Sequence, residues 1–312
     1  MISDTVRATR ANLRWLLVLL PAVLFVTTVG TAVVQGQTEG SISAYYGGPL
    51  QDVFVGVLIG VAVLLVAYEG ATAMEDYNFN GAALYAVFVA LLPTRLIGNL
   101  NSLRTQLVLA PDGLTPSEYV WSLRITLSLL VVLGTLLVIR ELSHRARLRG
   151  LLAGGLGRRI FVAVTFAVLV AFQALAMWQL WAPAAEAVTM EGLRSVPILS
   201  PIPFVGTLRI HDLAAIFLMC SLAAGVWCHA WPAAAAGDAR SLPPGSTVWL
   251  PAYRAIFIAM MVGPFIAWGA AALIAPGKMV ILLEWWVIAM FCVFWMVEMA
   301  RQRRVRVTPG TP

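Results

Sequence analysis

Residues 251–299 read PAYRAIFIAMMVGPFIAWGAAALIAPGKMVILLEWWVIAMFCVFWMVEM. Two long apolar runs, 251–274 and 279–299, stand on either side of Ala275-Pro276-Gly277-Lys278. A helix needs about 20 apolar residues to cross the hydrocarbon core, and Pro-Gly is a strong breaker. The segment therefore predicts a transmembrane hairpin. Working outward, six more runs of the same kind cover 14–34, 52–70, 81–100, 119–140, 160–182 and 211–231. They are continuous rather than alternating, which excludes a β-barrel. The expected fold is an all-α polytopic transmembrane helix bundle forming a single domain over 1–312. It has eight spans, or seven if the short turn at 275–278 does not part the last two.

Composition agrees. The chain has 312 residues, 60% hydrophobic and 12% charged, with mean hydropathy +0.86. Soluble domains carry about 25% charged residues, so a soluble enzyme, a disordered regulator and a secreted disulfide scaffold are excluded. The net charge of +6 does not indicate nucleic acid, because the arginines flank apolar runs and act as topology signals. With the N-terminus inside, 15 basic residues fall on the cytoplasmic side: Arg7, Arg10, Arg14, six between Arg140 and Arg159, Arg240, Arg254, and four from Arg301 to Arg306. Only Arg95, Arg104, Arg124, Arg194, Arg209 and Lys278 fall outside. Both termini are thus expected to be cytoplasmic. No small-x-small cleavage site follows the first run before Gln35, so it reads as a retained helix.

Ionisable residues inside spans are costly, at least about 2.5 kcal/mol at a helix centre, and ask for a reason. Asp52, Arg95, Arg124, His211, Asp212 and Glu284 all fall in the outer third of the predicted bundle. Asp52, Gly56 and Gly60 recur every four residues, so they share a face, and the G-x-x-x-G favours close helix approach. Asp52 is therefore expected to point inward. Glu284 sits beside Trp285 and Trp286, which suit the interfacial belt. These six residues are the candidate ligand-binding set, lining an outward-facing cavity for a small polar molecule or lipid headgroup. Two other readings stand beside it. One is a lipid-modifying hydrolase with His211 as base or metal ligand. The other is a structural subunit in which Asp52–Arg95 and Glu284–Arg124 are ion pairs. At the cytoplasmic ends, Glu69, His229, Arg254 and Glu298 are expected to snorkel or stay exposed.

Residues 183–210, with Pro197, Pro201 and Pro203 among apolar side chains, are expected to lie in the interface or fold back as a lid. Pro93 and Pro264 are candidate kinks. The Arg140–Arg159 loop orients the bundle and offers a surface for anionic lipid at about 1 kcal/mol per basic residue. Cys220, Cys228 and Cys292 lack C-x-x-C spacing and read as small buried hydrophobes. No metal site and no cofactor motif is read. The one lysine, Lys278, stands at an outer turn, which excludes a retinal Schiff base inside the bundle.

Ser41-Ile42-Ser43-Ala44-Tyr45-Tyr46 followed by Gln51-Asp52-Val53-Phe54-Val55-Gly56 resembles a pattern in a family of uncharacterised bacterial multi-pass membrane proteins. Glu75-Asp76 leading to Asn80-Gly81, Leu91-Leu92-Pro93-Thr94, Ile210-His211, and Leu283-Glu284 with Trp295 fit the same pattern. Ala44 departs from it, where members often have a polar residue or histidine, and so does Gln51, where they often have arginine. The resemblance implies a shared architecture in a bacterial plasma membrane, and it carries no activity. It places Asp52, His211 and Glu284 within its motifs. Asp76 and Asn80 fit an N-cap or acidic turn between the second and third spans.

Overall fold

A helix that is apolar on all sides suits a segment surrounded by lipid and by other helices, and each long apolar run is helical in the computed structural model. The structure describes residues 4–45, 49–92, 96–109, 112–143, 149, 152, 155–181, 209–236 and 246–307. The helices are α1 (Asp4–Gln35), α2 (Pro49–Ala67), α3 (Ala73–Leu91), α4 (Leu96–Leu109), α5 (Pro116–Ser143), α6 (Leu156–Trp181), α7 (Ile210–Ala230), α8 (Pro232–Ala236), α9 (Leu250–Ile274) and α10 (Met279–Val307). Short 3-10 turns cover Ile42–Tyr45 and Ser246–Trp249. Among the described residues there is no strand, and seven helices are long and apolar enough to cross a membrane. The protein is an all-α, multi-pass membrane bundle.

The chain forms two compact units, Met1–Ala90 with Phe217–Pro312, and Leu91–Ile216. In the first unit α1 lies antiparallel to α10. Arg14 bonds Gln302 near one end, and the Trp285 indole donates to Thr28 Oγ1 at 3.0 Å near the other. α9 and α10 form the expected hairpin. Gly277 takes φ +87°, a left-handed conformation open to glycine at little cost, and the turn follows directly on the helix end at Ala275. α9 continues through Pro264 and α1 through Pro21. In the second unit α5 and α6 pair antiparallel, with Trp121 against Trp181 at 5.7 Å between ring centroids.

The predicted third span, 81–100, is corrected. Its apolar run straddles the end of α3 at Leu91, and the helix begins eight residues earlier, at Ala73. Glu75, Asp76, Asn78 and Asn80 in its first half lower its apolarity, so α3 is absent from the seven helices above. It nonetheless runs antiparallel to α7 over much of that helix. Glu75 meets His229, Phe79 meets Gly225, and Tyr85 meets Phe217. α3 thus packs along one of the seven apolar helices although it is not itself among them. α4, at 14 residues, spans about 21 Å at 1.5 Å per residue and is too short to cross.

The α3–α7 seam depends on a glycine. A Cβ on Gly225 would lie 2.4 Å from Phe79 Cε1, and Phe79 is held among Tyr68, Phe294 and Trp295. Elsewhere the outward faces carry Val63, Ile125, Leu129, Leu136 and Phe265, all exposed, as lipid-facing surface requires. Cys228 is buried as expected and Cys292 half-buried, but Cys220 is exposed on α7, a correction to the reading of all three as buried. Pro93, Arg95 and the whole predicted lid around Pro197–Phe204 lie outside the described residues.

Candidate functional site

The six outer candidates divide between the units. Asp52 and Glu284 belong to the first, and Arg124, His211 and Asp212 to the second; Arg95 is outside the described residues. Asp52 does not point into the bundle. It stands in the first turn of α2, exposed, on the same side as exposed Gly56. Only Gly60 of that glycine pair meets a neighbour, with Leu20 Cδ1 2.8 Å from where its Cβ would be. The buried side of α2 carries Phe54, Val57, Val61 and Leu65 instead. A four-residue repeat aligns residues on one face but does not say which face turns inward.

Glu284 holds the Ser41–Tyr45 turn. Its Oε2 accepts the Ile42 N–H at 2.6 Å, and the Ile281 N–H donates to the Gly40 carbonyl at 3.0 Å. Ser41 and Ser43 hydroxyls lie 3.0 Å apart, and Ile42 and Ser43 are buried. In the second unit, His211 is 5% exposed and its Nδ1–H donates to the Leu92 carbonyl at 3.0 Å, just past the end of α3. Asp212, at the third position of α7, accepts the Arg209 N–H at 3.0 Å, the carboxylate half of a capping box. The Arg124 guanidinium packs between Trp121 and Trp181, 5.2 and 5.3 Å from the ring centroids, and donates to the Leu180 carbonyl. Each described outer residue except Asp52 thus has a local partner that explains its position.

The strongest polar cluster lies at the opposite end of the first unit, where α1 begins and α10 ends. Glu298 is 0% exposed, Glu75 1%, and the His229 side chain 8%. This overturns the expectation that His229 and Glu298 reach water; Glu69, in the same region, is exposed and pairs with Arg10. His229 Nε2 lies 2.7 Å from Glu75 Oε1, and its Nδ1 lies 3.7 Å from Glu298 Oε2. Glu298 accepts from Tyr253 OH at 2.6 Å, from Arg301 Nε and Nη2 at 2.9 and 2.6 Å, and from Gln302 Nε2 at 2.5 Å. Arg14 reaches Gln302 and lies 5.6 Å over the Tyr68 ring. Burial, with Glu75 and Glu298 nearby, pushes the Tyr68 phenol well above its ordinary pKa. Five elements contribute: Arg14 from α1, Glu75 from α3, His229 from α7, Tyr253 from α9, and Glu298, Arg301 and Gln302 from α10.

Local sequence builds the two ends of this network. Thr72 Oγ1 accepts the Glu75 N–H at 3.1 Å, while Glu75 Oε2 and Asp76 Oδ1 accept the Ala71 and Gly70 N–H groups at 2.8 and 2.5 Å. The T-x-x-E signature of a capping box was therefore present at Thr72–Glu75, and it starts α3 there. Glu298, Arg301 and Gln302 share a face by their i, i+3, i+4 spacing. Their convergence on His229 had no sequence signal. Among the described residues, buried Arg14 Nε and Trp295 Nε1 meet no acceptor. Both side chains border Tyr68, Trp295 with ring centroids 4.8 Å apart. No set of three His, Cys, Asp or Glu among the described residues has the geometry to hold a metal ion. Compared with protein-family models, with curated proteins and with solved structures, the chain matches none.

Proposed function

We propose that this is a transport protein of the bacterial plasma membrane, with cytoplasmic termini, that binds and moves a small polar molecule bearing acceptor oxygens. The observation that carries this reading is the enclosed network around Glu298, with two buried donors, Arg14 Nε and Trp295 Nε1, unsatisfied beside it. A buried ion pair is weak evidence of a purely stabilising role, since apolar replacements of similar volume are often as stable. Charged groups inside a bundle more commonly mark ion or substrate pathways. An unsatisfied buried N–H costs about 1–3 kcal/mol, and a carboxylate, carbonyl or hydroxyl oxygen of a solute would recover that. This moves the functional centre from the outer face, where Asp52 and Glu284 stand, to the end carrying the termini. The basic stretch Arg140–Arg159 is proposed to rest on anionic lipid headgroups.

The test is a panel of small carboxylates, amino acids, sugars and nucleosides, scored for thermal stabilisation of the purified protein and for radiolabel uptake into proteoliposomes. At least one class is expected to stabilise the wild type and to enter vesicles, with both effects lost in Arg14→Met. A panel with no stabilisation and no uptake refutes the reading.

A further inference from the structure

His229 presents both ring nitrogens to carboxylates. Nε2 faces Glu75 at 2.7 Å, and Nδ1 faces Glu298 at 3.7 Å. An imidazole so placed can take a proton on one nitrogen and release another from the other. The groups around it come from every packed element: Arg14 on α1, Tyr68 before α3, Glu75 on α3, Tyr253 on α9, and Glu298 and Arg301 on α10. Beyond them, Arg254 donates to the Ala230 carbonyl at the end of α7. We propose that His229 relays protons between Glu298 and Glu75, so that the network is the coupling site for proton-driven transport; this rests on the transport reading above.

The step balances without electron transfer. A proton on Glu298 Oε2 passes to His229 Nδ1, the Nε2–H passes to Glu75 Oε1, and the imidazole ends neutral in its other tautomer. The two junctions differ. The Glu75 side is at hydrogen-bond distance, whereas the Glu298 side is longer by about 0.8 Å than an ordinary contact near 2.9 Å. In this conformation Glu298 Oε2 instead accepts from Tyr253 OH and Arg301 Nε. The relay is thus closed on one side and open on the other. Release of Oε2 from these donors and a sub-ångström approach of α10 to α7 complete it, which ties proton passage to helix movement. Glu75, in turn, is joined to the loop before α3 through the Ala71 N–H, and Ala71 is exposed.

The experiment uses the full chain in phosphatidylethanolamine–phosphatidylglycerol vesicles loaded with a pH-sensitive dye. A potassium diffusion potential, negative inside, is imposed with valinomycin. Wild-type vesicles are expected to acidify, and His229→Gln and Glu75→Gln to lose about a hundredfold or fall to protein-free background, the loss typical of removing a positioned proton-transfer group. Glu69→Gln, at the same end but exposed, is expected to acidify like the wild type. Wild-type vesicles no faster than protein-free ones overturn the relay. So does wild-type flux in His229→Gln or Glu75→Gln protein that elutes as the wild type. Solute stabilisation and uptake persisting without proton flux would sink the relay and leave the transport reading standing; proton flux with no solute response would do the reverse.

Discussion

Replacing Glu298 by glutamine is the sharpest test of whether the buried network is as tightly built as its geometry indicates. Oε1 accepts from Arg301 Nη2 and Gln302 Nε2, and Oε2 from Tyr253 OH and Arg301 Nε. Whichever way the new amide turns, its NH₂ faces two donors that formerly met an oxygen. Each buried donor left unsatisfied costs about 1–3 kcal/mol, and Arg301 loses its charge partner as well. The Tyr253 hydroxyl can rotate to accept, which trims the sum. The expected destabilisation is about 3–5 kcal/mol, the range for breaking a buried ion pair. Reversible unfolding in mixed micelles with increasing SDS, followed by circular dichroism, measures it. Glu69→Gln is the control: its Arg10 pair is exposed, and such pairs contribute about 1 kcal/mol or less. A Glu298→Gln loss no larger than the Glu69→Gln loss would refute the burial and hydrogen-bond reasoning for the whole network.

Three further outcomes follow from the packing. Gly225→Ala is expected to cost about 1–3 kcal/mol by overpacking against Phe79, whereas Gly269→Ala, with open space around it, is expected to be neutral or stabilising in the same unfolding assay. At the outer end, Glu284→Gln should destabilise by about 1–3 kcal/mol through its bond to the Ile42 N–H, and exposed Asp52→Asn should stay within about 0.5 kcal/mol; equal effects would undo the distinction drawn between them. For topology, cysteines at Ala71 and Asp112 in a cysteine-free background should label from opposite faces of the membrane, and tags at the two termini from the same face as Ala71. Labelling of both cysteines from one face would show that α3 does not cross.

The span boundaries show what was legible. Seven of the eight predicted runs match a helix to within a few residues at their apolar part, because burying twenty backbone groups in hydrocarbon leaves a local composition signature. The third did not, since α3 keeps a polar first half that is hidden by partners rather than by composition: Glu75 by His229, and Asn78 by the Met74 carbonyl. The outer candidates were chosen by cost in the membrane, which is a property of single residues. Their actual partners include main-chain groups, Ile42 for Glu284, Leu92 for His211, Arg209 for Asp212 and Leu180 for Arg124. Such partners leave no trace in side-chain chemistry. The T-x-x-E at Thr72 was the available clue to a helix start at Ala73.

By itself, then, the sequence determined that this is a multi-pass helical membrane protein, where most of its helices run, and that its basic residues gather toward the two ends of the chain and the middle loop. These follow from hydropathy and charge summed over neighbouring residues. Tertiary structure alone decided which polar residues are enclosed. It turned Asp52 outward, gave Glu284 to a turn, and gathered Glu75, His229, Tyr253 and Glu298 from positions up to 223 residues apart into one buried network. The physical reason is that burial of a charge is set by the helices packed against it, and that packing is fixed by long-range shape, as at Gly225 and Phe79, rather than by any property of the charged residue's own segment.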